Sequence, residues 1–176
     1  MAEQHTSKRN ALIDRLIPFL KEIKDRTTGI ETERWLNSEH GVDSPLYQDL
    51  SRLISVGVRE GWAANTEVAG PGYRRSQIAP PSEETFFFGI VAVLMDSAGS
   101  EDGVLRGAYH SHPYGEINLM VPLNEGAALA GPDGWCHGGW TAPAPGSGHF
   151  PEVKGGGVIS LTILPAGRIV FGHGPA

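Results

Sequence analysis

The chain has little of three things that mark large protein classes: cysteine, clustered positive charge and long apolar runs. Cys136 is the only cysteine in 176 residues, which excludes an intrachain disulfide and favours the reducing cytoplasm. A net charge of −6 without any basic block makes nucleic acid and anionic membrane surfaces poor candidate partners. The most apolar window, Phe86 to Met95, is too short to span a membrane, and the polar N-terminus does not resemble a signal peptide.

Glycine and proline, by contrast, are abundant, with 24 and 13 residues, and they concentrate in the second half of the chain. This distribution is typical of many turns between short strands rather than of a disordered tail. The sequence therefore predicts a helical part followed by a β part.

Three helices are predicted in the first part. One covers Ser7 to Lys24, where apolar residues recur three and four positions apart. Pro18 should kink or break it, because proline removes a backbone hydrogen bond and clashes with the preceding turn. A short helical turn is predicted over Glu31 to Asn37. The third helix should begin at Ser44-Pro45, a cap followed by a favourable first position, and end at a left-handed Gly61.

Seven segments after residue 61 have the length and composition of strands, and turn residues separate them. They are Trp62 to Val68, Tyr73 to Ile78, Thr85 to Met95, Val104 to His112, Glu116 to Val121, Val158 to Leu164 and Arg168 to Phe171. We therefore predict a mainly β fold, with an N-terminal helical element over residues 1–61 and a β-barrel over residues 62–176. The helices would close one mouth of the barrel or form the interface of a homodimer.

The residues most suggestive of chemistry are His110, His112 and Glu116. In a strand, His110 and His112 project from the same face, as two ligands of one metal ion require. The turn residues before Glu116 can return its carboxylate toward the imidazoles, and His149, in a glycine-rich segment, is a candidate fourth ligand. An isolated His-x-His is more often a pair of surface or core histidines, but the two further candidates favour a transition metal site.

These residues resemble the two motifs of the cupin superfamily. His110-x-His112-x-x-x-Glu116 is similar to the first motif, and Gly138 with Gly146-x-x-His149 is similar to the second. The resemblance implies a cupin-like β-barrel, the double-stranded β-helix. It also implies a divalent iron, manganese, nickel or zinc ion bound by His110, His112, Glu116 and His149, without fixing which metal or which reaction.

Three positions depart from the cupin pattern. Val104 stands where the first motif has glycine, Ala144 stands at the proline position of the second, and Val153 replaces its usual asparagine. Gly107, Pro143 and Pro145 lie near the altered positions.

A narrower resemblance, to the hydroxylaminobenzoate lyase family, covers nearly the whole chain. The segments that carry it are Glu60-Gly-Trp-Ala-Ala-Asn65, Val68-Ala-Gly-Pro71, Tyr73-Arg-Arg-Ser76, His112-Pro-Tyr-Gly-Glu-Ile-Asn118 and Gly139-Trp-Thr-Ala-Pro-x-Pro-Gly146. This resemblance implies a lyase that converts 4-hydroxylaminobenzoate to 3,4-dihydroxybenzoate with release of ammonia, in the breakdown of nitrobenzoates.

Candidate substrate-binding residues are Arg74, Arg75 and Trp140. Adjacent residues of a strand face opposite ways, so one arginine should point inward, where it could bind the carboxylate of an aromatic acid. Alternatively, both arginines are solvated residues of an edge strand. Trp140 could form a wall for an aromatic ring, although aromatics in a small barrel more often belong to the core.

Candidate catalytic residues are Glu116, Tyr114 and Glu152. Tyr114 lies between the predicted ligands in the sequence. Glu152 could act as a general acid or base if burial raised its pKa, whereas a solvated carboxylate would have no such role.

Two other functions fit the same residues. The first is a cupin dioxygenase or isomerase acting on another aromatic or keto acid, which would require oxygen in the dioxygenase case. The second is a non-catalytic cupin that binds a small acid or stores a metal. Oxygen uptake distinguishes the dioxygenase from the lyase, and tight binding without turnover identifies the binding protein.

Overall fold

The computed structural model describes residues 2–174 of the chain, and its first part is helical. The three helices are α1 (Ala2–Ile23), α2 (Ile30–Glu39) and α3 (Pro45–Glu60). Helix α1 continues through Pro18, so the predicted break does not occur. No helix within residues 2–174 combines the length and the apolar character needed to cross a lipid bilayer.

Both predicted ends of α3 are confirmed. The Ser44 hydroxyl accepts a hydrogen bond from the backbone N–H of Tyr47 at 3.1 Å, and Pro45 occupies the first helical turn. Gly61 ends the helix in the left-handed conformation, with φ of 79°. Local chemistry alone therefore determines where this helix begins and ends.

After α3, the described chain forms thirteen strands and one short 3-10 helix, Ser97–Gly99. They are β1 (Thr66–Glu67), β2 (Tyr73–Ala79), β3 (Phe88–Asp96), β4 (Val104–Arg106), β5 (His110–His112), β6 (Ile117–Pro122), β7 (Ala128–Gly131), β8 (Gly134–Cys136), β9 (Gly139–Thr141), β10 (Ser147–His149), β11 (Glu152–Lys154), β12 (Gly157–Pro165) and β13 (Val170–Phe171). The strands pair antiparallel in three sheets, with orders β1-β2-β3-β12-β6-β9, β10-β5-β13 and β4-β11-β7-β8.

This arrangement confirms the predicted mainly β fold with N-terminal helices. The strands do not pair into one closed barrel within the described residues; instead, the six-stranded sheet and the two smaller sheets enclose a cavity. The long pairs β3–β12 and β12–β6 form the centre of the larger sheet.

Several predicted strand boundaries are wrong. Only Thr66–Glu67 of the segment from Trp62 to Val68 is a strand, β3 begins at Phe88 rather than Thr85, and the segment from Val104 to His112 is divided between β4 and β5. The five short strands β7 to β11 were not predicted. Each has three or four residues, which is too short for an alternating pattern to be recognised.

The six-stranded sheet separates two cores. One face packs against the helices, and the buried residues there include Leu16 and Leu20 of α1, Ile54 of α3, and Leu119 and Leu161 of the sheet. The other face carries a smaller cluster that includes Tyr73, Met95, Met120, Leu129 and Val153. Because side chains alternate along a strand, every long strand of this sheet contributes to both cores.

Helix α2 fixes the position of β9 at the edge of this sheet. Asn37 bonds the backbone of Trp140 twice: its Nδ2 donates to the Trp140 carbonyl at 2.8 Å, and its Oδ1 accepts from the Trp140 N–H at 2.9 Å. The Glu33 carboxylate accepts from the N–H of Ala142 at 2.8 Å, and burial raises the pKa of Glu33. The helix thus pairs with an edge that would otherwise expose unpaired backbone groups.

Candidate metal centre

Four candidate ligands converge in the structure: His110, His112, Glu116 and His149, of which all but His112 line the cavity. Their nearest ligand atoms all lie within 4.8 Å of one another. The three imidazole rings form a nearly regular triangle, with centroid separations of 4.9, 4.8 and 5.0 Å. The structure therefore brings together the four residues that the sequence pattern predicts.

Strand pairing places the three histidines on one face. His110 and His112 are two positions apart on β5, and β10 pairs with β5 so that His149 lies directly opposite His110. The Nε2 atoms of that pair are 3.1 Å apart. A cross-strand pair and a same-strand neighbour are sufficient to build the triangle.

A tight turn between β5 and β6 returns Glu116 to the histidines. Gly115 has φ of 84°, and its N–H donates to the carbonyl of His112 at 3.1 Å. A Cβ atom at Gly115 would collide with the side chain of Thr28, so both the backbone conformation and the available space require glycine. The turn therefore depends on close contact with the segment between α1 and α2.

Hydrogen bonds orient two of the rings with Nε2 toward the cluster. The Ser147 hydroxyl donates to the carbonyl of Ala144 at 2.6 Å, so it can only accept from Nδ1 of His112, at 3.1 Å. The Nδ1 atom of His110 likewise donates to the carbonyl of Ala108 at 3.2 Å. Both Nε2 atoms are consequently unprotonated, the form in which histidine binds metals.

The cluster fits a cation better than it fits a hydrogen-bonded core. His112 is only 1% exposed, and its Nε2 atom has no hydrogen-bond partner among the described residues. It lies 3.4 Å from Oε2 of Glu116. A buried orphan nitrogen beside a carboxylate and two further imidazoles is the donor set that a transition metal ion would satisfy.

Burial sets the protonation of the cluster. It lowers the pKa of His112 and of His149 to about 4, and it also lowers the pKa of His110. The three imidazoles are therefore neutral at pH 7 and available as ligands. Burial raises the pKa of Glu116, while the hydrogen bond from Asn118 lowers it.

The cavity that extends from the cluster has a volume of about 640 Å³, including the part open to solvent. Its polar end is lined by His110, Glu116, Asn118, His149, Ser160 and Thr162. Its other walls are mainly apolar and include Val91, Val93, Met95, Leu129, Ile169 and Phe171. A mostly apolar cleft with a few convergent polar groups is typical of small-molecule sites.

Of the two adjacent arginines, Arg75 lines this cavity and Arg74 lies on the other face of β2. The guanidinium carbon of Arg75 is 5.7 Å from the centroid of the Phe171 ring. The Phe171 ring is in turn 5.7 Å from the ring of His110. Arg75 and His110 thus both lie close to the same aromatic side chain.

Three other predicted site residues do not line the cavity. Trp140 is 1% exposed, contacts Phe19, and donates from Nε1 to the carbonyl of His40 at 2.7 Å. Tyr114 is 56% exposed and borders a separate surface depression. Glu152 forms an ion pair with Arg106 at 2.5 Å on the neighbouring strand.

Four residues that line the cavity were not predicted from the sequence: Asn118, Ser160, Thr162 and Phe171. A signal for three of them is present: Asn118 is two positions after Glu116, and Ser160 and Thr162 are alternate polar residues in an otherwise apolar strand. An alternating polar pair in a buried strand indicates a polar cavity on one face. Phe171, in a two-residue strand, gives no comparable signal.

A family model and two curated relatives of this chain all have the same name. The sequence model of the 4-hydroxylaminobenzoate lyase family matches residues 14–171. A 4-hydroxylaminobenzoate lyase of Pseudomonas putida is 56% identical over 169 residues, covering 94% of this chain and 96% of that protein. A protein of the same name from Nocardioides sp. (strain LMS-CY) is 58% identical over 160 residues, covering 91% and 92%.

Two solved structures have more distant similarity. A cupin 2 domain-containing protein from Halorhodospira halophila has a TM-score of 0.40 and 12% identity, over 62% of this chain and 75% of that one. A DMSP lyase from Ruegeria pomeroyi has a TM-score of 0.37 and 13% identity, over 81% and 76%.

Proposed function

Since the chain belongs to the 4-hydroxylaminobenzoate lyase family, we propose that it converts 4-hydroxylaminobenzoate and water to 3,4-dihydroxybenzoate and ammonia. The single observation in the structure that supports this most is a cluster of three imidazoles and one carboxylate at the end of a cavity that also contains Arg75. The cavity therefore offers partners for both ends of a substituted benzoate.

The reaction balances without an external oxidant or reductant. The N–O bond breaks and its oxygen leaves as water. Another water adds to the ring carbon adjacent to the one that carries the nitrogen. The C–N bond is then hydrolysed, so that ammonia leaves and an oxygen takes its place. The nitrogen is reduced as the ring is oxidised, and the net requirement is one water for each ammonia released.

We propose that His110, His112, Glu116 and His149 hold a divalent iron, manganese, nickel or zinc ion. Such an ion would supply Lewis acidity toward the hydroxylamino oxygen and make it a better leaving group. The chain's own contribution is the fixed orientation of the ligands. Their neutral imidazoles and buried carboxylate also keep this end of the cavity free of positive charge before the ion binds.

Arg75 is proposed to bind the substrate carboxylate. A guanidinium can bind a carboxylate through two parallel hydrogen bonds, which fixes orientation as well as charge. The Phe171 ring, within 5.7 Å of both Arg75 and His110, is placed to pack against the substrate ring. The apolar walls would exclude bulk water and leave access to the few molecules that the reaction consumes.

Of the three predicted catalytic residues, only Glu116 lies at the cluster, where its buried carboxylate is proposed as a metal ligand. Tyr114 and Glu152 have no part in this proposal, since neither lines the cavity. Trp140 acts instead through the core, where it supports β9.

The reaction is tested by incubating the purified protein with 4-hydroxylaminobenzoate under argon. We expect ammonia and 3,4-dihydroxybenzoate in equal amounts. A product that forms only in air, with matching oxygen uptake, would instead support the dioxygenase. Binding of the aromatic acid without turnover by metal-loaded protein would support a non-catalytic role.

A further inference from the structure

Asn118 lies directly behind the Glu116 carboxylate, outside the set of candidate ligands. It is 5% exposed, and its Nδ2 donates to Oε1 of Glu116 at 2.7 Å. The other carboxylate oxygen, Oε2, is the one near Nε2 of His112. Asn118 therefore occupies one oxygen of Glu116 and leaves the other facing the cluster.

The hydrogen-bonding capacity of the Asn118 side chain is almost fully used. The second hydrogen of Nδ2 is donated to Oγ1 of Thr141 at 3.2 Å. Its Oδ1 accepts from Thr162 at 2.8 Å and from Ser160 at 3.1 Å. The ionised Glu116 carboxylate can only accept, so the amino group must face it, and the amide oxygen then accepts from the hydroxyls of Ser160 and Thr162.

All four of these residues are on the central strands of the six-stranded sheet or its edge strand β9. Asn118 is paired with Thr141 across β6 and β9, and with Thr162 across β6 and β12. Because its partners are on both neighbouring strands, the amide cannot rotate without breaking bonds on two sides. The sheet therefore fixes the Asn118 amide, and the amide in turn holds the Glu116 carboxylate through its hydrogen bond to Oε1.

We propose that Asn118 is a positioning residue that acts through Glu116, holding the carboxylate so that Oε2 is presented to the metal ion. The inference rests on the proposed metal site. Without Asn118, the carboxylate could rotate and present either oxygen, or neither, to the cluster. Partners behind a metal ligand typically affect metal affinity by about 10- to 100-fold.

The test uses Co²⁺ as the probe, titrated into metal-free protein and followed by its visible absorption, with Zn²⁺ affinity measured by competition with a chelator. We expect Asn118→Ala to weaken Co²⁺ binding by about 10- to 100-fold and to alter the absorption bands, which report ligand geometry. Asn118→Asp keeps the size and the acceptor for Thr162 but removes the donor to Glu116, and it should weaken binding similarly. Unchanged affinity and spectrum in either folded variant would overturn the proposal.

A double-mutant cycle separates action through Glu116 from a general effect on the site. In a Glu116→Ala background, Asn118→Ala should change Co²⁺ affinity by less than about twofold, because the group it orients is gone. An equal loss in both backgrounds would contradict the proposal. Asn65→Ala is the matched control: it removes an exposed asparagine side chain that does not line the cavity, and it should leave affinity and spectrum unchanged.

The same Co²⁺ titration tests the metal site and the positioning role of Asn118 separately. If the wild-type protein binds no Co²⁺ or Zn²⁺, the metal site itself is refuted, and the role of Asn118 with it. If the wild-type protein binds and Asn118→Ala binds equally well, only the positioning role is refuted.

Discussion

The two faces of the six-stranded sheet use the same strands for different purposes. Toward the helices, β12 presents Ile159, Leu161 and Ile163, all buried in an apolar core. Toward the cavity, the alternate residues Ser160 and Thr162 support the polar end of the site. One face therefore stabilises the fold, and the opposite face is free to carry groups that would be costly in a core.

The largest expected effect comes from removing a ligand on the cavity side. His112→Ala should lower metal affinity by more than about 100-fold, beyond the range expected for an indirect partner, and abolish ammonia release. Circular dichroism should show a folded protein, because the helix-side core is untouched. His137→Ala is the control, since His137 is exposed in the turn between β8 and β9. Full activity of His112→Ala would contradict the proposed centre.

The next largest effect is on the helix side. Leu161 is fully buried, and Leu161→Ala should lower the free energy of unfolding by about 2–5 kcal/mol, through lost apolar contact and a cavity. Urea denaturation of metal-free protein measures it. Metal affinity should stay near that of wild type.

Thr162→Val, at the adjacent position, should show the reverse pattern: a small loss of stability, about 1 kcal/mol, and weaker metal binding. If both substitutions changed stability and metal affinity in the same proportion, the two faces would not be functionally separate.

The adjacent arginines of β2 provide a third comparison. Arg75→Gln should raise KM by about 10- to 100-fold, because a hydrogen bond to a charged group contributes about 1.5–3 kcal/mol. Steady-state kinetics measures the change. Arg74→Gln, on the opposite face, should leave KM near the wild-type value. Equal changes in KM for the two variants would remove Arg75 from the substrate site.

The smallest effect concerns pH and the metal-free protein. Because burial lowers the pKa of His149 from 6.5 to about 4, the unfolded chain takes up a proton at this residue before the folded chain does as pH falls. The contribution of His149 to stability is therefore full above pH 6.5 and is lost between pH 6.5 and 4. Partial exposure of the ring reduces the expected loss to about 1 kcal/mol.

Denaturation of the wild type and of His149→Gln at pH 7 and pH 4.5 measures this contribution. On going from pH 7 to pH 4.5, the free energy of unfolding of the wild type should fall by more than that of His149→Gln. An unchanged difference would show that the imidazole titrates alike in both states.

The sequence was most informative where the signal was local. Ser44 and Gly61 mark the ends of α3, and the two-residue spacing of His110 and His112 identifies one strand face. Glu116 was a candidate because turn residues precede it and His149 because glycines surround it; the resemblance to cupin motifs implies the same ligands, and the structure brings all four together.

Two of the predicted site residues, Trp140 and Tyr114, lie outside the cavity, and the reason is physical. Trp140 in an apolar segment looks the same whether it lines a core or a cavity, and the hydrogen bond that reveals its role joins it to His40, 100 residues away in sequence. Tyr114 is directed to the surface by the turn that returns Glu116. These placements depend on contacts between distant segments, which periodicity does not encode.

The most direct test of the whole account is ammonia release under argon as a function of metal content. The protein would be stripped with a chelator and reconstituted with increasing amounts of Fe²⁺, Mn²⁺, Ni²⁺ or Zn²⁺. We expect no ammonia from stripped protein, and for at least one metal a rate that rises in proportion to bound ion and saturates at one ion per chain. Undiminished ammonia release from fully stripped protein would contradict this expectation.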